Sequence, residues 1–195
     1  MKQMGITAIF PKKNTSKPNI RHYRYPYLLN NCSIIRPNQV WGTDITYVRA
    51  EKIWFYLVAI LDWFSRYVVS WTLATSLNGI FCQETLKKAL KIAKPEIHNS
   101  DQGSQFTAKE YTDILNDAKI SISMDGRGRC FDNIFTERLW RTVKYEEVYL
   151  KDYQSFAEAE KSLNQYFKTY NHKRLHQSLN YQTPAQAYFN NLNTL

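Results

Sequence analysis

Cysteine is scarce in this chain: its 195 residues hold three, Cys32, Cys82 and Cys130, far apart and with no C-x-x-C pair. That argues against a disulfide-stapled scaffold and suits free thiols in a reducing compartment. Long apolar runs are missing too. The longest, Ile53–Leu61, has the length of a strand and is too short to span a bilayer. The opening stretch, Met1–Phe10, is too short for a secretory leader and has no cleavage site, so none is expected. No segment repeats another. Acid is absent from residues 1–43, which carry Lys2, Lys12, Lys13, Lys17, Arg21, Arg24 and Arg36. The whole chain has 26 Lys and Arg against 17 Asp and Glu, a net charge of +9. A balance of that sign favours polyanionic partners through counterion release.

The length and a hydrophobic share of 44% fit one core of ordinary size with an appended tail. Residues 1–37 are basic and broken by Pro11, Pro18, Pro26 and Pro37, which reads as an extended arm. A disordered or merely docked linker is the competing reading. From Val40 the pattern changes. Trp41–Val48, Trp54–Leu61 and Tyr67–Leu73 are rich in β-branched and aromatic residues and separated by polar breaks, as in an antiparallel meander. Asn78–Ala93 reads as a helix stopped by Pro95, Glu96–Asn99 as a strand, and Thr107–Asp117 as a helix with a Thr107/Glu110 capping box. Ile120–Met124 is a further strand, Asp125–Arg129 a glycine-bearing loop and Asp132–Tyr149 a long helix. Ser155–Tyr170 opens on a second capping box with Glu158, and Thr183–Asn191 on Thr183 with Pro184 behind it. The order gives a mixed sheet flanked by helices. The expected division is an arm over 1–37, a core over 38–150 and a helical extension over 151–195.

Three carboxylates stand out. Asp44 lies in QVWGTDITYV on the first strand, Asp101 in IHNSDQGSQF just past the fourth, and Glu137 in FDNIFTERLWRTVKYE on the long helix. Open α/β sheets place sites beyond their strand ends where the strand order switches, so the two aspartates can be neighbours. Convergent carboxylates without sulfur suit hard divalent cations. Two such ions roughly 4 Å apart supply what cutting a phosphodiester needs, charge stabilisation on both flanking oxygens. Each residue also has a plainer reading. Asp44 suits a solvent-facing strand position, Asp101 an Asx turn, and Glu137 an i,i+4 pair with Arg141 worth a few tenths of a kcal/mol. Asn133, Glu137, Arg141 and Lys144 share one helical face, with Asn133 and Glu137 toward a metal and Arg141 and Lys144 along phosphates. His98 reads as a donor or base near Asp101, or as a packed side chain. His172 and His176 have a zinc-like spacing, but nothing nearby completes four ligands.

Taken together, WGTDITY, LDWFSRYVV, HNSDQGSQF, FDNIFTERLWRTVKYEE and YNHKRLHQSLNYQTPAQ resemble, in the same order, the integrase core of bacterial insertion-sequence transposases of the insertion-sequence-three group. Their spacing resembles that family's as well. Asp44 is followed by Asp101, then after 35 intervening residues by Glu137, and seven residues on by Lys144. The likeness runs from about Pro11 to Tyr188. It implies a ribonuclease-H-like α/β fold, with a mixed five-stranded sheet, three antiparallel strands then parallel ones, and a C-terminal helical extension. It implies Asp44, Asp101 and Glu137 as catalytic ligands of two magnesium or manganese ions. It implies Lys144 as a contact to the transposon end, and Arg141 and Asn133, on the same helical face, are the further candidates for contact with DNA. The chemistry implied is metal-dependent cleavage that frees a 3′-hydroxyl at the element's end, then strand transfer by that hydroxyl, with no covalent enzyme intermediate. The partners implied are transposon ends and target DNA, a homo-oligomer assembled on them, and a helix-turn-helix segment or protein outside this chain. Such an enzyme is expected in the bacterial cytoplasm, on the nucleoid, with no membrane. The rival readings are a purely hydrolytic nuclease of the same fold and a truncated or domesticated transposase that only binds DNA.

Overall fold

A computed structural model describes residues 24–50, 53–126 and 133–192. Most of the arm (1–23), the loop residues 127–129, Cys130 and Asp132 lie outside the described residues. Five strands form one sheet in the order β3-β2-β1-β4-β5. β1 (Val40–Arg49), β2 (Trp54–Asp62) and β3 (Val68–Ala74) are the meander, antiparallel throughout. β4 (Ile97–Ser100) joins β1 in parallel, and β5 (Ser121–Met124) joins β4 in parallel. The mixed sheet expected from the sequence is therefore present.

Helices cover both faces, which is why β2 is buried along most of its length rather than in alternation. α1 (Ile80–Leu90) and α3 (Lys109–Asp117) pack Phe81, Leu86, Tyr111 and Leu115 against Trp41, Val58 and Ile60. On the other face, α4 (Ile134–Glu146) and α5 (Phe156–His172) pack Leu139, Val143, Leu163 and Phe167 against Val48, Leu57 and Leu61. The C-terminal extension is thus built into the main core. Asn171 clamps the edge strand, accepting from Val68 N and donating to Val68 O, both at 3.0 Å. Farther on, Tyr188 stacks on Tyr67 at 4.8 Å and donates to Asn38 Oδ1 at 2.7 Å. At the other end, the described part of the arm is docked. Met124 N donates to Pro26 O and Leu28 N to Ser123 Oγ, so this stretch lies beside β5.

Capping follows local chemistry, with one correction. Thr183 and Gln186 form a complete capping box on α6 (Pro184–Asn190). Ser155 accepts from Glu158 N, while the Glu158 carboxylate turns to Gln154 N rather than back to Ser155. The Thr107/Glu110 box does not form. Instead Ser104–Thr107 makes its own single turn, α2, and Ala108 is extended with ψ 139°, so α3 starts only at Lys109. Thr107 is buried, and its hydroxyl donates back to Gly103 O at 3.0 Å. A side chain held inside that turn cannot cap the next one.

Gly42 sets how closely α4 approaches the sheet. A Cβ at this position would lie 2.1 Å from Trp63 Nε1 and 2.8 Å from Thr136 Oγ1 on α4. The indole is rigid and buried, so a methyl group here pushes helix and strand apart. Gly42→Ala is expected to lower stability by about 1–3 kcal/mol, read as a lower urea midpoint at unchanged slope. An unchanged midpoint would show that α4 does not lean on this residue.

Candidate active site

The sheet register brings Asp44 and Asp101 together. Parallel pairing of β1 with β4 runs from Val40–Ile97 to Gly42–Asn99. Two residues past that last pair stand Asp44, still on β1, and Asp101, just beyond the end of β4. Glu137 comes from the first turn of α4, exposed, at the helix end where the macrodipole favours an acid. Trp140, one turn on, donates its indole N–H to Asp44 Oδ2 at 3.0 Å and ties helix to strand. Asn133, at the start of α4, donates to Thr43 O at 3.4 Å.

The electrostatics show how these acids sit. The Asp44 carboxyl is pushed up to about 6 by desolvation, with the charges of Asp101 and, more weakly, Glu137 adding to it. The Ile45 amide and the Trp140 indole pull the other way without compensating. Burial also raises Asp101, against a hydrogen bond from Gly103 N to its Oδ1 at 2.8 Å. That bond is the Asx turn of the plainer reading, so the turn aims the acid as well as closing the loop. One edge of Asp101 remains open to solvent. Among the described residues none of the three acids forms an ion pair. Basic side chains are paired elsewhere, as in Arg36–Glu96 and Arg174–Glu146.

Such a group of acids, short of compensating charge, is what a divalent cation relieves, and its donors are the hard oxygens such an ion prefers. The donor chemistry of these residues therefore suits such an ion. Asp101 weighs on Asp44 more than Glu137 does, so the aspartates are the tighter pair. Among the described residues, no three His, Cys, Asp or Glu side chains are gathered closely enough to hold an ion as they stand.

Other candidates separate cleanly. His98 is fully buried, its Nε2 is 2.9 Å from Tyr111 Oη, and desolvation lowers it to about 3, so it packs as a neutral ring and is no base. Cys82 is buried, and desolvation with the nearby Asp101 charge pushes its thiol up to about 12, so it offers no thiolate. His172 and His176 face tyrosine rings, Tyr67 and Tyr170 respectively. Along α4, Arg141 is exposed and its guanidinium lies 5.8 Å from the Tyr145 ring centre, while Lys144 is half-buried at a surface cleft. Asn133 does not share their exposure. It is 5% exposed and its amide donates to the Thr43 carbonyl of β1. Trp140 was not singled out for the site from sequence, although its place three residues after Glu137 puts it on a neighbouring helical face.

The integrase core domain family matches this chain over residues 35–130, and a second integrase core description over residues 118–184. The transposase for insertion sequence element IS629 of Shigella sonnei is 32% identical over 154 residues, covering 78% of this chain. The chain spans about half, 52%, of that relative's length. The transposase for IS904 of Lactococcus lactis is 31% identical across 94% of this chain and 76% of its own length. Among solved structures, the HTLV-2 integrase catalytic core domain in complex with magnesium superposes with a TM-score of 0.63 at 21% identity, over 78% of this chain and 97% of that one. A chain of the simian T-cell lymphotropic virus intasome gives 0.70 at 19%, over 87% and 60%. At such identities the likeness shows the fold, the ribonuclease-H-like α/β sheet of integrase cores.

The raised Asp44 carboxyl has a measurable cost. The folded chain holds this proton more tightly than the unfolded one, so its contribution favours folding below the ordinary value of 3.8 and is lost as pH rises through about 6. In chelator, Asp44→Asn is expected to stabilise the protein above pH 6 by about 1–3 kcal/mol, with little gain below pH 4. Urea titrations across that range check it, and an equal gain at both ends would remove the electrostatic explanation.

Proposed function

This chain belongs to the integrase core family of insertion-sequence transposases, and on that premise we propose that it carries out metal-dependent cleavage and strand transfer at DNA ends. The observation that carries the reading is that the β1–β4 register brings Asp44 and Asp101 together just past their last pair, with their charge unrelieved and Glu137 on α4 adding to it. In this proposal the three carboxylates are the ligands of two magnesium or manganese ions. When bound, such ions stabilise charge on the attacking and leaving oxygens of an in-line displacement.

The chain's own residues hold and orient. Trp140 fixes Asp44 Oδ2 and, with the Ile45 amide, sets the direction in which the carboxylate would meet a metal. The Gly103 amide fixes Asp101 in the same way. No side chain attacks phosphorus. In the first transfer a water oxygen bonds to phosphorus, the bond to the 3′-oxygen breaks, and that oxygen leaves with a proton as a 3′-hydroxyl. In the second, the 3′-hydroxyl attacks another phosphodiester, whose own 3′-oxygen leaves. Lys144 and Arg141 hold the phosphates of the cut strand, a positioning task rather than sequence readout. Asn133 supports the site through Thr43 instead of touching DNA. The core over 38–150 does the chemistry, the arm over 1–37 adds cationic contacts, and the extension over 151–195 braces the sheet. The substrates are transposon ends and target DNA in the cytoplasm, bound by several copies of the chain.

Asp44→Ala, Asp101→Ala and Glu137→Ala are each expected to reduce Mn²⁺-dependent nicking of a terminal-repeat duplex by on the order of a thousandfold, while duplex binding persists. Each should also shrink the rise in melting temperature that Mg²⁺ gives the unaltered protein. Nicking without joined products would mark a hydrolytic nuclease of the same fold. Full activity in any one variant would remove that residue from the ligand set.

Lys144→Ala is expected to lower end joining by roughly tenfold to a hundredfold, more than it lowers binding to random duplex, since a charged contact is worth about 1.5–3 kcal/mol. Lys144→Glu should do worse. Full strand transfer by Lys144→Ala at physiological salt would make this lysine an ordinary surface residue.

A further inference from the structure

Beyond Gly42 the β4 side of β1 has no described strand partner, and a cleft of about 870 Å³ opens near the far end of that edge. Tyr47, Arg49 and Trp54 line one side, and Lys144, Tyr149 and Lys151 the other. Tyr47 and Arg49 alternate with buried Thr46 and Val48, so the strand turns both outward. Tyr47 is 52% exposed, Trp54 56% and Tyr149 62%. Large aromatic rings this open, gathered at one cleft, form a surface that a soluble fold does not need for its core.

Tyr47 and Trp54 meet edge-to-face, with centroids 6.3 Å apart and planes at 90°, so the two rings do not cover each other by stacking. The charge around them is basic. Arg49 and Lys144 form no ion pair among the described residues, Lys151 is held by Glu147 at 3.0 Å, and the single lining acid is Asp152. Flat aromatic faces with free cations beside them match a strand whose bases are exposed. A duplex hides its base faces, whereas an unpaired nucleotide offers one face to stack and one phosphate to a cation.

The position is continuous with the candidate active site. From Asp44 to Arg49 the strand advances about 17 Å, and from Glu137 to Lys144 the helix advances about 10 Å, both away from the acids. That spans about three to five base steps. We propose that this cleft holds unpaired nucleotides of a DNA strand leading away from the carboxylates, with bases stacked on Trp54 and Tyr47 and phosphates against Arg49 and Lys144. The proposal rests on the reading of this chain as a DNA enzyme. It adds a base-stacking site, which that reading does not need.

The test uses the full chain and fluorescence anisotropy at one salt concentration, with three labelled probes: a short oligothymidine, an abasic strand with the same number of phosphates, and a duplex. The unaltered protein is expected to prefer oligothymidine over the abasic strand by about fivefold to a hundredfold. Trp54→Ala should bring oligothymidine down to the abasic level, and Trp54→Phe should keep most of the preference. Arg49→Glu should weaken both strands alike. Equal affinity of the unaltered protein for the two single strands, with duplex still bound, overturns the cleft alone, and so does a preference that survives Trp54→Ala in a protein with unchanged melting. Failure to bind duplex as well as single strands strikes the DNA reading itself.

Discussion

β1 and β4 run together for only three residue pairs, and the site depends on how soon they part. The register of those pairs brings Asp44 level with Asp101, two residues beyond the last of them. Once parted, they leave a crevice at the carboxyl end of β4, where the strand order reverses direction, the place where open α/β sheets bind ligands. The same parting leaves β1 without a sheet partner on that side, and α4 uses the space. Its Trp140 reaches Asp44 and its Asn133 reaches the Thr43 carbonyl. Longer pairing would fill the crevice with β4 backbone. Gly42, the last residue of β1 paired with β4, lets α4 and Trp63 come close enough for those bonds to form.

The unrelieved charge at Asp44 is a cost that the rest of the fold must offset. Desolvation acts on it while the nearest acids add repulsion, and two hydrogen bonds do not compensate. The two apolar layers carry this load. β2 is buried on both faces, and the C-terminal extension adds Leu163, Phe167 and the Asn171 clamp on β3. An extension that looks like an appendage in sequence is therefore part of what keeps an acidic crevice folded. This is the pattern expected where a site violates the rules the rest of the chain obeys.

The sequence disclosed elements better than relations between them. Strands with polar breaks and the Thr183–Pro184 helix start were legible because their signals are local. The Thr107 cap was misread because burial of that hydroxyl, a tertiary fact, turned it back to Gly103. Spacing and resemblance single out the three acids as candidates, whereas the bond from Trp140 to Asp44 depends on the strand that α4 crosses. The aromatic cleft was invisible for the same reason. It joins a hairpin around Arg49 to the segment after α4, nearly a hundred residues away, and no local period connects them.

Asp62 makes the same point from the opposite side. Like Asp44 it lies in an apolar strand, and it is buried more completely, with no exposed surface. Desolvation raises its carboxyl too. Yet its oxygens are filled. Asn38 N donates to Oδ2 at 2.8 Å, and Ser65 donates to Oδ1 from its amide at 2.8 Å and its hydroxyl at 2.6 Å. Arg66, held in a left-handed turn with φ 63° and its guanidinium 3.6 Å from the centre of the Phe135 ring, adds a favourable charge. An acid so satisfied holds the β2–β3 turn and has nothing left to offer a ligand. Asp44 has one indole donor, a neighbouring backbone amide and two acidic neighbours. Burial makes both aspartates expensive. What separates an acid whose charge is satisfied within the fold from one left short of compensation is the count of donors around it, which a strand pattern cannot carry.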